Sequence, residues 1–362
     1  MHQWIDSTAA LGAWMGKHAA ATVVALDTEF MRVNTFAPIL ALVQVKIGDE
    51  VALLDSPQLG EHAALAASLA DPSHVCVMHS ASEDLEALAG IVPAGPAVLF
   101  DTQIAAAMAG LGFGLSYQKL VAHLFGVELP KSETRSDWLQ RPLSAAQLDY
   151  AAQDVVWLPQ IHTRLADALD ALGRSAWLAE DCRRMIERVR AAAPDPQPQR
   201  AFRSAAEWPR ENQILLRRLL RWRESAARRY DKPRSWLLDD AHALDLAQHP
   251  PLDANALFER TKGLRALRSA QRAEVLERLQ APVDADDDAT VAVPPPMSGN
   301  EKRAVAAMKD AVAAVARELD LPEGLLCPRR HLEAFVTDRT WPAALEGWRK
   351  PLLFERLQAL CP

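Results

Sequence analysis

Five side chains in this 362-residue sequence have types and spacings that can do chemistry: Asp27 and Glu29, Asp84, and Tyr150 with Asp154. In Leu26-Asp27-Thr28-Glu29-Phe30 the two acids end a β-rich run, and the two-residue period of a strand turns both to one face. Together they can grip one hard cation. Asp84 follows His79-Ser80-Ala81-Ser82-Glu83, where Ser80 and Glu83 are spaced as a capping box, so it falls in the first turn of a helix. Tyr150 and Asp154 are four residues apart in a helix that Ser144 and Gln147 open as a second capping box, and they share a face. Each fragment alone also has an ordinary reading: a solvated strand end, an acid favoured by the helix dipole, an alanine-rich amphipathic helix.

The elements that must position these residues can be read from periodicity. Thr22 to Leu26, Ile39 to Ile47 and Val51 to Leu54 read as strands, with Gly48-Asp49 as a tight hairpin between the last two. A helix near Glu61 to Leu69, a buried strand at Val75 to Met78, a helix from Glu83 and a strand at Ala97 to Phe100 follow. This βββαβαβ order, continued by helices, predicts a mixed sheet flanked by helices.

Beyond it, Pro194-Asp195-Pro196-Gln197-Pro198 stops any helix and predicts an extended linker. The pattern is helical from about Glu211 to Gln280, breaks in the acidic, proline-rich run from Asp284 to Pro296, and resumes near Ser298. The two helical stretches read as diverged copies, with turns at Lys232-Pro233 and Leu321-Pro322 and with Gly263-Leu264 and Gly347-Trp348 before their closing helices. The expected domains are 1–193, a linker 194–204, a first module 205–283, a linker 284–297 and a second module 298–362.

A chain this long with 49% hydrophobic residues can bury more than one core, which excludes wholesale disorder. Its four cysteines lack the close pairs of zinc or redox motifs, and no apolar run is long enough to span a bilayer, so a reduced, soluble, cytoplasmic protein is expected. The net charge of -7 argues against an indiscriminate nucleic-acid coat. Basic charge nonetheless clusters at Arg217, Arg218, Arg221, Arg223, Arg228, Arg229, Lys232 and Arg234, leaving a locally basic surface open.

Taken together, the order and context of the motifs resemble the tyrosine-containing branch of the DEDD exonucleases, and within it the ribonuclease D family. Asp27 through Phe30, His79 through Leu85 and Tyr150 through Asp154 match the three motifs. Phe36-Ala37-Pro38, Gln44, Phe100-Asp101-Thr102, Lys131 through Trp138 and Arg141-Pro142-Leu143 support them. Trp222-Arg223, Lys232-Pro233 and Leu257 through Gly263 resemble the helical HRDC module, and the second stretch resembles a diverged one. The resemblance implies a multidomain chain: an α/β, ribonuclease H-like exonuclease domain followed by two all-α HRDC-like domains.

It also implies 3′-to-5′ hydrolysis of RNA with two divalent ions, Mg²⁺ or Mn²⁺, releasing nucleoside 5′-monophosphates. Asp27, Glu29 and Asp154 would hold one ion, Asp27 and Asp84 a second, and Tyr150 would orient the attacking water. Thr28, Phe30, Gln44, His79, Lys131, Arg135 and Arg141 are the expected substrate contacts. Precursors of transfer RNA and other small structured RNAs are the expected partners, with no membrane, and a monomer is the expected state. A DNA exonuclease and an inactive RNA-binding scaffold are the alternatives. A chain ending near Pro194 keeps every expected ligand and is expected to cleave short oligonucleotides.

Overall fold

The computed structural model describes residues 2–129 and 136–362. A six-stranded mixed sheet organises the first part of the chain, in the order β1-β4-β3-β2-β5-β6. The strands are β1 (His2–Ile5), β2 (Val23–Met31), β3 (Ile39–Ile47), β4 (Glu50–Asp55), β5 (Val75–Met78) and β6 (Val98–Asp101). β2, β3 and β4 form the antiparallel centre, whereas β1 on β4 and β5 and β6 beyond β2 add in parallel. Gly48, at φ +57, makes the expected tight turn between β3 and β4. β3 and β4 are almost wholly buried, which is why they read as continuous apolar runs. β1 was not anticipated, because its four residues carry only one fully buried side chain, Ile5.

The helices interleaved with these strands are α1 (Thr8–Lys17), α2 (Ser56–Leu59), α3 (Ala63–Ala70), α4 (Ser82–Leu88), α5 (Thr102–Met108), α6 (Tyr117–Phe125), α7 (Ala145–Val156), α8 (Leu158–Ala171) and α9 (Ser175–Ala191). α7 packs across β2, β3 and β4, α4 against β2 and β3, and α9 against β6. α10 (Arg210–Tyr230), α11 (Arg234–Leu237), α12 (Asp240–Gln248), α13 (Ala254–Thr261), α14 (Ser269–Gln280) and the short α15 (Ala285–Asp288) follow. The last stretch holds α16 (Gly299–Leu319), α17 (Glu323–Leu326), α18 (Arg329–Asp338) and α19 (Lys350–Gln358). None of the described helices is long and apolar enough to cross a membrane.

Contacts gather these elements into two compact units that do not follow chain order. One comprises Met1–Met31, Ile39–Ala192 and Gly299–Pro362; the other comprises Arg32–Pro38 and Ala193–Ser298. In the first, the final helical stretch docks on α9. Trp348 stacks on Trp177 with ring centroids 4.6 Å apart and planes 8° from parallel. Arg349 forks onto Asp181 at 2.6 and 2.8 Å, and Trp348 donates its indole N–H to the same carboxylate. Gly347 sits at φ +72 with Glu180 so close that a Cβ there would fall 1.6 Å from its Oε1, so only glycine fits.

In the second unit the two expected linkers are not extended. Gln199 is fully buried in a 3-10 turn and donates to the Val291 carbonyl, while Gln197 donates to that of Ala289. The acidic run is held by arginines of α10: Asp286 accepts from Arg217 and Arg221, Asp287 from Arg218. Val293 then enters the module's core. The acids that read as a solvated linker are the counter-charges of the basic helix, so both segments pack. The expected basic surface shrinks accordingly. Arg223 pairs with Asp240, Arg228 and Arg234 with Glu224, and Arg229 with Glu274.

Candidate active site

Strand β2 delivers the first two acids from within its length; it continues to Met31 instead of ending at the motif. Asp27 lies opposite Gln44 and Glu29 opposite Leu42 in the β2–β3 ladder, so alternation puts Asp27 and Glu29 on one face. The pairing shifts between Glu29 and Phe30, a bulge that re-aims Phe30 just past the acids. Phe30 is partly exposed, as a substrate contact requires.

The helix bearing Asp84 starts by a different device from the expected capping box. Ala81 is the N-cap and no side chain caps it, while Ser80 takes a positive φ of 61. The fully buried Asp101 organises this turn. Its carboxylate accepts N–H bonds from Ser80 and Ala81 and, at the start of α5, from Gln103 and Ile104, at 2.8 to 3.4 Å. An ionised acid outcompetes the Ser80 hydroxyl for these donors. Asp84 is buried in the first turn of α4, and Thr28 donates its hydroxyl to Asp84 Oδ1 at 2.5 Å.

Helix α7 opens with the expected box, Ser144 and Gln147 bonding reciprocally. Tyr150 and Asp154 share its inward face, and the phenol donates to the Asp154 carboxylate. The other oxygen, Asp154 Oδ2, is buried without a partner among the described residues. Trp138, itself buried, lies beside the Tyr150 ring at 6.0 Å. Tyr117 was not foreseen: its hydroxyl donates to the Gln153 carbonyl and accepts the Trp157 N–H, both at 3.0 Å, fixing the end of α7 next to Asp154. Nothing in the local sequence marks it, since its partners lie 36 and 40 positions away.

The four carboxylates meet without a described lysine or arginine to neutralise them, and their proton affinities record it. Burial raises Asp27 well above the usual carboxylate range, with the charges of Asp84, Asp154 and Glu29 adding to it. Burial and then Asp154 and Asp84 push Glu29 to about 8. Asp154 rises to about 7, chiefly by burial, and Asp84 to about 6 for the same reason. Tyr150 is pushed up by burial and by the Asp154 and Glu29 charges, so its phenol stays protonated. Four clustered acids raised this far, with an unpartnered buried oxygen, form an all-oxygen donor set that fits hard divalent cations. By contrast Asp284, Asp286 and Asp287, which also crowd together, are committed to a helix cap and to arginines.

Several expected substrate contacts are held elsewhere. Thr28 is buried and bonded to Asp84. His79 uses Nδ1 on Thr102 at 2.9 Å and Nε2 on the Leu115 carbonyl at 3.0 Å, which leaves no nitrogen for substrate. Arg141 binds Asp55 through Nε and Nη2 at 2.7 to 3.0 Å and adds the Ala41 and Trp138 carbonyls, so it braces the sheet instead of a phosphate. Gln44 is fully buried, and its amide has no partner among the described residues. Lys131 and Arg135 lie outside the described residues.

Residues 2–170 match a family model described as 3′-5′ exonuclease. The chain is 44% identical to ribonuclease D of Xanthomonas oryzae pv. oryzae over 93% of its length and 92% of that protein. It is 30% identical to ribonuclease D of Escherichia coli K12 over 99% and 98% of the two chains. The crystal structure of Escherichia coli RNase D, described as an exoribonuclease involved in structured RNA processing, superposes with a TM-score of 0.85 at 29% identity, covering 99% of this chain and 98% of that one.

Proposed function

The chain belongs to the ribonuclease D family, a 3′-5′ exoribonuclease family that depends on divalent metal, and from that premise we propose that it trims the 3′ ends of transfer-RNA precursors and other small structured RNAs with two ions, Mg²⁺ or Mn²⁺. The observation that carries the reading is the gathering of Asp27, Glu29, Asp84 and Asp154, each raised by burial among its fellows. Asp27, Glu29 and Asp154 would hold one ion, and Asp27 with Asp84 the second. When bound, such ions make hydroxide available at neutral pH and offset charge on the departing oxygen.

The chain's own residues do the rest. Tyr150, kept protonated, is a donor that orients the attacking water and not a base that deprotonates it. Water adds at the terminal phosphorus, the bond to the 3′ oxygen of the preceding nucleotide breaks, and a nucleoside 5′-monophosphate leaves. Thr28 and Asp101 act through Asp84, the first by its hydroxyl and the second by fixing the turn before α4. Phe30, beyond the bulge, is placed to stack on the terminal base. The HRDC-like reading of the helical modules belongs to the same proposal, as do a monomeric state and a cytoplasmic location; four free cysteines accord with a reducing compartment.

The test offers a transfer-RNA precursor with a short 3′ extension, an unstructured RNA and a DNA of the same sequence as alternative substrates. Trimming of the precursor to its mature end, with DNA left intact, supports the proposal. Equal hydrolysis of DNA, or a precursor left at full length while unstructured RNA is consumed, contradicts it.

A further inference from the structure

Positive charge in the second unit is distributed unevenly. Arg217, Arg218, Arg221, Arg223, Arg228, Arg229 and Arg234 each reach a carboxylate. Lys232, Arg265 and Arg268 do not, among the described residues, and all three line one recess of about 360 Å³ together with Tyr230, Trp236 and Gln271. That volume lies within the range of ligand pockets, roughly 300 to 1,000 Å³. No acid is among its lining residues.

The walls are fixed in advance. Ala266 donates its N–H to the Trp236 carbonyl at 2.9 Å, tying the segment before α14 to α11. The Arg268 N–H is held by the Gln271 side chain at 3.2 Å, and the Tyr230 hydroxyl by Glu274 at 2.9 Å. The Arg265 guanidinium lies 5.3 Å from the centre of the Trp236 ring, so a cation is already stacked on an aromatic face beside two further cations. Like charges gathered without counter-ions repel one another, and an anionic ligand relieves that repulsion. A stacking surface among cations suits a polymer that is both anionic and aromatic.

We propose that this recess binds RNA, taking the phosphates of an unpaired stretch on Lys232, Arg265 and Arg268 and a base against the Trp236–Arg265 pair. The inference rests on RNA being the polymer this chain acts on. It moves the contact of the first helical module away from the arginines of α10, which the sequence suggested, to a site where the cations are free.

The test uses the full chain in chelator, so that RNA is bound but not cut, and a fluorescent single-stranded oligoribonucleotide titrated at several salt concentrations. Replacing Lys232, Arg265 and Arg268 together by alanine is expected to weaken binding and lower the slope of log affinity against log salt by about 2, at roughly 0.7 per phosphate contact on single strands. Trp236→Leu is expected to weaken binding on the order of tenfold with the slope retained. Thermal unfolding of each variant verifies that it is folded. Hydrolysis of a dinucleotide by the parent with metal reads the nuclease assignment independently, because a dinucleotide fills only one site. Parental affinity and slope in the triple variant would overturn the proposal, whatever the hydrolysis shows.

Discussion

Tyr150 carries a hydroxyl that is protonated and bonded to Asp154, so Tyr150→Phe removes a donor while keeping the ring beside Trp138. We expect kcat to fall roughly 10- to 100-fold, the scale of losing water alignment, with KM for RNA little changed. Single-turnover kinetics check it, and parental turnover would return Tyr150 to packing. The raised carboxylates give a second expectation, for the metal-free protein. Glu29 at about 8, Asp154 at about 7 and Asp84 at about 6 bind protons more tightly folded than unfolded, where such groups titrate near 4. Their folded pKa values are raised, so stability is greatest below the unfolded values and falls as pH rises towards about 8, by up to about 1.4 kcal/mol per pH unit for each proton of difference. Unfolding temperatures in chelator should therefore drop from about pH 5.5 to about pH 8.5, and added Mn²⁺ should remove the drop. A rise over that interval in chelator would contradict the electrostatic picture. The five central residues were legible in sequence because each pairs a chemical type with a recognisable element. The surrounding contacts were not. His79, Thr28 and Arg141 have the capacity to bind substrate, but their partners Thr102, Asp84 and Asp55 stand 23, 56 and 86 positions away, and only the fold reveals them.

At the scale of elements, periodicity gave the central strands and the long helices closely, since β3, β5, α7 and α10 are each long or strongly patterned. It failed where the pattern was too short, as in β1, and where a distant acid replaced a local cap, as Asp101 does for Ser80. The docking of the last helices on α9 was equally invisible. Arg349 and Asp181 are each about 10% exposed as side chains and form a forked ion pair under the Trp177–Trp348 stack. Arg349→Ala leaves the Asp181 charge buried without its partner, so we expect a loss of about 3–5 kcal/mol in denaturant unfolding. Replacing both partners by leucine should recover most of it. A loss within about 0.5 kcal/mol for Arg349→Ala, the range of a surface change, would show the contact to be incidental.

For the whole molecule, the linear order of domains expected from sequence differs from how contacts group the chain. The final helices share a unit with the sheet, and the proline-rich and acidic segments pack in the other unit instead of spacing modules apart. Composition could not reveal this, because an acidic run reads as solvated until the arginines that bind it are placed opposite. A chain ending near Pro194 therefore keeps its carboxylates but uncovers Trp177 and Asp181, and its expected activity on short oligonucleotides becomes conditional on its stability. The central claim, that Asp27, Glu29, Asp84 and Asp154 hold the metal that hydrolyses RNA from its 3′ end, meets its most direct test in a 5′-end-labelled RNA digested by the full chain. The account predicts a ladder shortening one nucleotide at a time only when Mg²⁺ or Mn²⁺ is present, with Asp154→Asn slower on the order of 10³-fold yet folded. A ladder that persists in chelator, or a folded Asp154→Asn that works at the parental rate, would contradict it.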